Sequence, residues 1–123
     1  MDLTTEILGQ RIFDGEIDGE QFDTFKLGEV FFVDIFQPKK NYHIPRFHTT
    51  KGLFTFITTL EACKQIFLPL GFVALDVNNL VNVQHIREVT KTFYAITAHF
   101  EGGYTANVAK GKLPLVEHLL KKG

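Results

Sequence analysis

The chain has 123 residues, of which 45% are hydrophobic, and its formal net charge is −1. This length suits a single domain with one sizeable core, and the hydrophobic content excludes general disorder. No apolar run approaches roughly 18 residues, the acidic N-terminus lacks a signal-peptide core, and a lone Cys63 excludes an intramolecular disulfide. We therefore expect a cytoplasmic protein that does not contact a membrane.

Charge is distributed unevenly along the chain. Residues 1–34 hold nine acids and only two bases, Arg11 and Lys26, for a net charge of −7. Residues 35–123 hold five acids and eleven bases, for a net charge of +6. A basic body that carries an acidic segment still presents a positive face if the two sets of charges stay apart. The alternative is that they intermingle in space and cancel.

The acidic N-terminal segment, residues 1–26, is predicted to consist of turns and one or two short strands. Asp14-Gly15 and Asp18-Gly19 are turn signals between short apolar runs. Residues 2–10 also fit the start of a helix, so both readings stay open for this stretch.

Beyond this segment the pattern is rich in strands. Residues 30–36 predict a buried strand, and residues 46–50 and 53–57 predict a hairpin around a Lys-Gly turn. Thr58 and Glu61 have the spacing of a capping box, in which the threonine caps a helix and the glutamate bonds back to the cap. A short central helix is therefore expected to begin at Thr58.

The last third of the chain predicts more short strands and a helix. Strands are expected at residues 80–83, 93–100 and 104–108, and Pro114 suits the first turn of a C-terminal helix. The inward side of that helix would consist of Leu115, Val116, Leu119 and Leu120. The predicted fold is thus mainly β, with one short central helix and a C-terminal helix.

The stretch from Gly71 to Val89, GFVALDVNNLVNVQHIREV, resembles the signature segment of the LytTR family of bacterial DNA-binding domains. The apolar frame of that signature is present as Phe72, Leu80, Val81, Asn82, Val83 and Ile86. Ala74, Asp76 and Asn78 stand where Arg, His and Ser are common. The resemblance extends from residue 27 to the end and indicates a LytTR-like domain over residues 27–123.

The resemblance implies an elongated arrangement of small antiparallel sheets. Loops at the sheet ends would enter successive major grooves of double-stranded DNA and bind short direct repeats. It also implies a transcription regulator, and because this chain shows neither the receiver nor the membrane domain of most members, we expect a stand-alone one. A second copy of the chain, or a related regulator, is a candidate protein partner.

Three stretches hold candidates for DNA contact. Residues 35–60 contain no Asp or Glu but several bases, the turn before residue 80 holds amides, and two lysines follow residue 108. Lysine neutralises phosphates, whereas Asn, His and Arg also address base edges. The predicted contacts are Lys39, Lys40, Asn41, His43, Arg46, Lys51, Asn78, Lys110 and Lys112. The alternative is a solvated hairpin and ordinary turn formers, and Asn82 is expected to be structural.

Enzymatic activity is not expected, because the chain offers no convergent catalytic groups. Its five histidines lack metal-binding spacing, Cys63 lies on the apolar side of the predicted helix, and no glycine cluster resembles a phosphate loop. We therefore predict no catalytic residues, no metal and no cofactor.

The serious alternative is a LytTR-like module that binds or antagonises another protein and no longer reads DNA. The altered signature residues and the net charge of −1 favour it. A related hypothesis is that the acidic residues 2–34 fold over the basic loop and inhibit DNA binding until they are displaced.

Overall fold

A computed structural model describes residues 2–121 and shows two antiparallel sheets with one α-helix. The strands of this part are β1 (Glu6–Phe13), β2 (Glu16–Lys26), β3 (Val30–Lys39), β4 (Tyr42–Thr49), β5 (Gly52–Thr55), β6 (Phe72–Val73), β7 (Leu80–Asn82), β8 (Glu88–Lys91), β9 (Ile96–His99) and β10 (Thr105–Val108). The larger sheet has the order β2-β1-β5-β4-β3-β7-β6, and the smaller has the order β10-β9-β8. The helix is α1 (Leu60–Phe67). The predicted mainly β fold with small antiparallel sheets and a short central helix is confirmed.

The N-terminal segment forms a long hairpin rather than short strands. β1 and β2 have 8 and 11 residues and meet at a turn where Asp14 and Gly15 both have positive φ. β1 also pairs with β5, where Gln10 lies opposite Thr55 and Arg11 lies opposite Phe54. The hairpin therefore extends the larger sheet, and β2 forms one of the two edges of that sheet. The alternative of a helix over residues 2–10 is wrong.

An aromatic core lies between the larger sheet and α1. The ring of Phe25 lies 5.0 Å from that of Phe54 and 5.7 Å from that of Phe47, and all three side chains are fully buried. Cys63 and Phe67 on the inner side of α1 close this core. Rows of apolar side chains at alternate strand positions predict such a layer, because alternate residues face the same side of a sheet.

The start of α1 differs from the prediction by one residue. Thr59, not Thr58, is the N-cap, and its Oγ1 accepts a hydrogen bond of 3.1 Å from the backbone N–H of Ala62. With the cap at Thr59, the third helical residue is Ala62, which has no carboxylate to complete a capping box. Glu61 instead accepts a hydrogen bond of 3.0 Å from Lys64.

A second core joins the two sheets. Phe32 of β3 and Phe100, which follows β9, pack with their ring centroids 5.2 Å apart, together with apolar residues of β8 and β10. Asn82 is buried at the end of β7, where its Nδ2 donates to the carbonyl oxygen of Val30 at 3.2 Å. The predicted structural role of Asn82 is thereby confirmed.

The predicted C-terminal helix is replaced by two short 3-10 turns, Lys110–Leu115 and Glu117–Leu119. Pro114 lacks the N–H that a continuing helix needs, and Val116 (φ −130°, ψ 11°) breaks the helical path between the turns. Val116 is buried as expected, but Leu115 is 51% exposed, so the predicted inward side is wrong at that residue. No helix within residues 2–121 is long and apolar enough to span a membrane.

Candidate nucleic-acid interface

The turn between β3 and β4 presents polar and basic side chains to solvent. Lys40 and Asn41 form the turn, and Asn41 adopts a positive φ of 63°, which asparagine tolerates better than most residues. Lys39 and Tyr42 flank the turn, with the Lys39 ammonium 5.6 Å from the centre of the Tyr42 ring. These residues and His43, the next along β4, are exposed, so the hairpin end offers cations, an amide and an imidazole together.

A second element, the turn of residues 75–79, is held in place by a buried amide. The Oδ1 atom of Asn79 accepts from the backbone N–H groups of Leu75 and Asp76, at 3.1 and 2.9 Å. The Nδ2 atom of Asn79 donates to the carbonyl oxygen of Asn107 on β10, at 2.8 Å. Asn79 is therefore structural, and it fixes the turn to the smaller sheet.

The same turn carries the carboxylate of Asp76, which accepts hydrogen bonds from other groups of the chain. Asp76 accepts a 2.7 Å bond from Nδ2 of Asn107 and a 2.8 Å bond from the N–H of Val77. These bonds fix the orientation of the carboxylate. Val77, with 80% of its surface exposed, and Asn78 form the outer tip of the turn.

A groove connects the two elements. It is lined by residues from the β3–β4 hairpin, from the turn of residues 75–79 and from β10, among them Gln37, His43, Asn78, Thr105 and Asn107. Two predicted contacts, His43 and Asn78, thus lie along one groove although they are far apart in sequence. Antiparallel pairing of β3 with both β4 and β7 brings their segments together.

Arg46, another predicted contact, lies in an ion pair. Its Nε and Nη2 atoms donate to the two carboxylate oxygens of Asp34, at 2.9 and 2.8 Å, and its guanidinium lies over the ring of Phe36. Burial raises the pKa of Asp34, but the hydrogen bonds from His48 and Arg46 outweigh it and bring the pKa below its usual value. The bidentate geometry that suits a guanine base is therefore already used within the protein.

His48 completes this cluster from two residues further along β4, on the same face of the sheet as Arg46. Its Nε2 lies 3.0 Å from Asp34, and its ring stacks on that of Phe32 at 3.9 Å. Because its side chain is buried, His48 supports the ion pair and does not face the groove as an exposed donor.

Lys51 lies in the turn that follows β4, and the part of β4 from His43 to Thr49 alone spans about 20 Å at the usual rise of a strand. Its ammonium donates to the carbonyl oxygen of Thr24 and lies 3.7 Å from the carboxylate of Asp23. A hydrogen bond from the Thr24 N–H, together with one from Arg11, lowers the pKa of Asp23. The acidic N-terminal segment therefore holds Lys51 at this end of the sheet, away from the groove.

A third element follows β10. Lys110 and Lys112 are exposed on the first 3-10 turn, and the N–H of Ala109 donates to the carbonyl oxygen of Leu75 at 2.7 Å. A second depression, which shares Asn107 with the groove, is lined by Lys110 and by the turn between β8 and β9. Through this depression Lys110 is continuous with the groove, and Lys112 lies two residues further along the same 3-10 turn.

The cations along this surface are free of carboxylate partners. No ion pair among residues 2–121 involves the lysines of the surface, which are Lys39, Lys40, Lys91, Lys110 and Lys112. Among the acidic residues 2–34 of the inhibition hypothesis, Asp23 binds Lys51 and Asp34 binds Arg46. In this conformation the acidic segment does not neutralise the exposed lysines, which argues against the inhibition hypothesis.

Sequence reasoning did not identify Asn107, which links the groove to the second depression. Its signal was available in the alternation of β10, where Ala106 and Val108 are buried and Asn107 is exposed. An amide at an exposed strand position is common, however, and only the bonds to Asp76 and Asn79 reveal that it organises the surface.

The described residues thus form a β-rich domain of two antiparallel sheets, whose end loops expose lysines, amides and a histidine. The family model described as the LytTr DNA-binding domain matches residues 25–121, and the chain belongs to this LytTR family. Membership of this family confirms the resemblance seen in the sequence. It supports a role as a DNA-binding regulator.

Among solved structures, the chain is similar to the LytTr DNA-binding domain of a Bacillus cereus protein assigned as a methyl-accepting/DNA response regulator. The match has a TM-score of 0.63 and 14% identity, and it covers 90% of this chain and 93% of that one. At this identity the likeness supports the fold alone. Among curated proteins no match was found.

Proposed function

We propose that this protein is a sequence-specific regulator of transcription that binds double-stranded DNA through the surface described above. The observation that carries the proposal is the continuity of three elements: the end of the β3–β4 hairpin, which reaches the groove through Gln37 and His43, the turn of residues 75–79 and the turn after β10. Each contributes exposed polar or basic side chains, and the groove and the second depression join them. Loops spaced along one surface suit the successive grooves of a duplex, and short direct repeats are the proposed form of the site.

Each group of residues has its own proposed role. Lysine binds phosphate as a point charge and fixes the position of the protein on DNA without reading sequence. Amide and imidazole groups in the major groove discriminate base edges. We assign the first role to Lys39, Lys40, Lys110 and Lys112 and the second to Asn41, His43 and Asn78.

Two residues predicted as contacts are left out of this set. The Nε and Nη2 atoms of Arg46 both donate to Asp34. Lys51 bonds to the N-terminal hairpin beyond the far end of β4. We propose that Arg46 and Lys51 stabilise the sheet and that the positive charge available to DNA comes from the lysines of the surface.

The test is fluorescence anisotropy with duplexes from the region upstream of the protein's own gene, titrated from about 50 to 200 mM salt. One preferred duplex and a steep salt dependence are expected. Lys40→Met should weaken binding to all duplexes alike and flatten the salt slope by about one unit. Asn78→Ala should reduce affinity for the preferred duplex by about tenfold and leave random DNA unaffected.

Lys51→Met is the matched control for Lys40→Met, because it removes the same charge away from the surface. It should leave both the affinity and the salt slope unchanged. Equal losses from the two substitutions would show that only overall charge matters and would contradict the proposed surface.

A second candidate function is a protein-binding module that no longer reads DNA. The observation that favours it is the carboxylate of Asp76 in the groove, where the family signature commonly has a histidine. A carboxylate repels phosphate, although it also accepts a hydrogen bond from cytosine. If no duplex binds even at the lowest salt, this function becomes the leading one, and pull-down with the protein as bait is the next experiment.

A further inference from the structure

Two aromatic side chains are fully presented to solvent at the turn between β8 and β9. Phe93 and Tyr94 are each 92% exposed, and their rings contact each other edge to face, with centroids 5.2 Å apart and planes at 82°. Large apolar side chains are unfavourable in water, so a pair exposed together at the tip of a hairpin indicates a binding role. Neither residue belongs to the contact set proposed above.

The turn that carries the pair is closed by hydrogen bonds of Thr92. The N–H of Thr92 donates to the carbonyl oxygen of Ala95 at 2.8 Å. The hydroxyl oxygen of Thr92 accepts from the N–H groups of Tyr94 and Ala95, at 3.2 and 3.1 Å. Because these bonds fix the backbone of the turn, both rings project from a defined position, and little backbone entropy is lost on binding.

The surroundings of the pair are basic and continuous with the DNA surface. The depression beneath the rings is lined by Lys91, Lys110 and Asn107, and none of its lining residues is an acid. Asn107 also lines the groove that contains His43 and Asn78. A duplex that contacts Lys110 therefore passes close to the aromatic pair.

Exposed apolar side chains beside cations match the chemistry of one kind of DNA contact. Proteins that bend DNA insert apolar side chains against a base step from the minor groove, while neighbouring cations bind the adjacent phosphates. A protein partner is a poorer match, because stable protein interfaces need a much larger contiguous surface than two side chains with a basic rim.

We propose that Phe93 and Tyr94 form an aromatic wedge, which inserts against a base step next to the phosphates bound by Lys91 and Lys110 and kinks the duplex. The proposal rests on the proposed function and adds a contact of a different kind to it. Pyrimidine–purine steps unstack most easily, so the wedge favours sites with such a step at this position. It thereby reads sequence through deformability, without a hydrogen bond to a base.

The test places 2-aminopurine, whose fluorescence rises on unstacking, at successive positions of the preferred duplex, and measures bending by energy transfer between the duplex ends. The wild-type complex should show increased fluorescence at one step and a shorter end-to-end distance. The double variant Phe93→Ser/Tyr94→Ser should lose both signals and about tenfold in affinity. Its salt slope should remain that of the wild type, because no phosphate contact is removed.

The matched control is Phe13→Ser/Phe22→Ser, which removes two aromatic side chains, each 54% exposed, from the N-terminal hairpin. It should leave bending and 2-aminopurine fluorescence unchanged. Circular dichroism melting of the wedge variant should match the wild type, because rings that are 92% exposed stabilise little of the fold.

The outcomes separate the wedge from the proposed function. If the wild type binds the preferred duplex without unstacking or bending, the wedge is wrong and the function stands. If the wild type binds no duplex, the function itself is wrong, and the wedge with it. If the double variant binds DNA normally but loses self-association in analytical ultracentrifugation, the aromatic pair is a protein contact and the wedge is again wrong.

Discussion

The ion pair between Arg46 and Asp34 allows a test that separates stability from DNA recognition. Arg46→Met removes the guanidinium but keeps an apolar stem over Phe36, and it leaves Asp34 with His48 as its remaining side-chain donor. Two charge-assisted hydrogen bonds are lost, each typically about 1.5–3 kcal/mol. The two side chains are 27% and 25% exposed, so water replaces part of that loss. We expect a decrease of about 3 kcal/mol in the free energy of unfolding, the lower end of the range for broken buried pairs, because this pair is only partly buried.

Urea denaturation followed by circular dichroism measures this decrease, and anisotropy on the folded variant measures DNA affinity. The ratio of affinities for preferred and random duplexes should stay at the wild-type value, because Arg46 is directed at Asp34. Lys51→Met is the control for stability, since its pair with Asp23 is more exposed and should contribute less than the pair between Arg46 and Asp34.

The double variant Asp34→Asn/Arg46→Met should be more stable than the two single losses predict, with a coupling free energy of about 2 kcal/mol. A different result would refute the reasoning: an Arg46→Met protein of wild-type stability that loses affinity only for the preferred duplex. That result would restore Arg46 as a base-reading residue.

Three further predictions concern the fold. Burial raises the pKa of Cys63 to about 11. Iodoacetamide at about pH 8 should therefore alkylate the unfolded protein but not the native one, as detected by mass spectrometry. Equal rates of alkylation would contradict the burial of Cys63. Thr59→Ala should lower the unfolding free energy by about 1 kcal/mol through loss of the helix cap, and Thr58→Ala should lower it less; the reverse order would place the helix start at Thr58. The lowered pKa of Asp34 means that its carboxylate stabilises the fold above about pH 4, and that this stabilisation is lost as pH falls through the folded-state pKa. Chemical denaturation at several pH values should therefore show a weaker acid dependence in Asp34→Asn, and an unchanged dependence would remove Asp34 as a cause.

Most strands and the central hairpin follow from local sequence, because alternation and turn residues act over a few positions. The strand predicted at residues 93–100 is wrong in its first part, because residues 92–95 form the turn before β9 (Ile96–His99). The C-terminal helix was mispredicted for the opposite reason. Its apolar spacing fits a helix, but the backbone breaks at Val116, and the N–H of Lys121 bonds to the carbonyl oxygen of Val89 in the smaller sheet. Tertiary contacts outside the segment decide its conformation, and a pattern within the segment does not contain them.

The same limit applies to the site. Residues 35–60 contain no acid, so the sequence predicts that the bases among them are free to contact DNA. Arg46 binds Asp34, which directly precedes that run. Lys51 pairs with Asp23, which lies on β2. Strand register decides such pairings, and register is not visible in composition. Lys40, Lys110 and Lys112 lie in turns that no acidic strand flanks, and they are exposed as predicted.

The edge strand β2 has a consequence for the behaviour of the protein at high concentration. Its outer side leaves backbone groups without a strand partner, which invites another chain to pair there. Glu16, Asp18 and Glu20 lie along this edge, so a second β2 that approached in antiparallel fashion would bring carboxylates face to face. The acidic segment thus protects the molecule against strand-by-strand aggregation at neutral pH. Acidification removes that repulsion, which makes the open edge most vulnerable to fibre growth in acid.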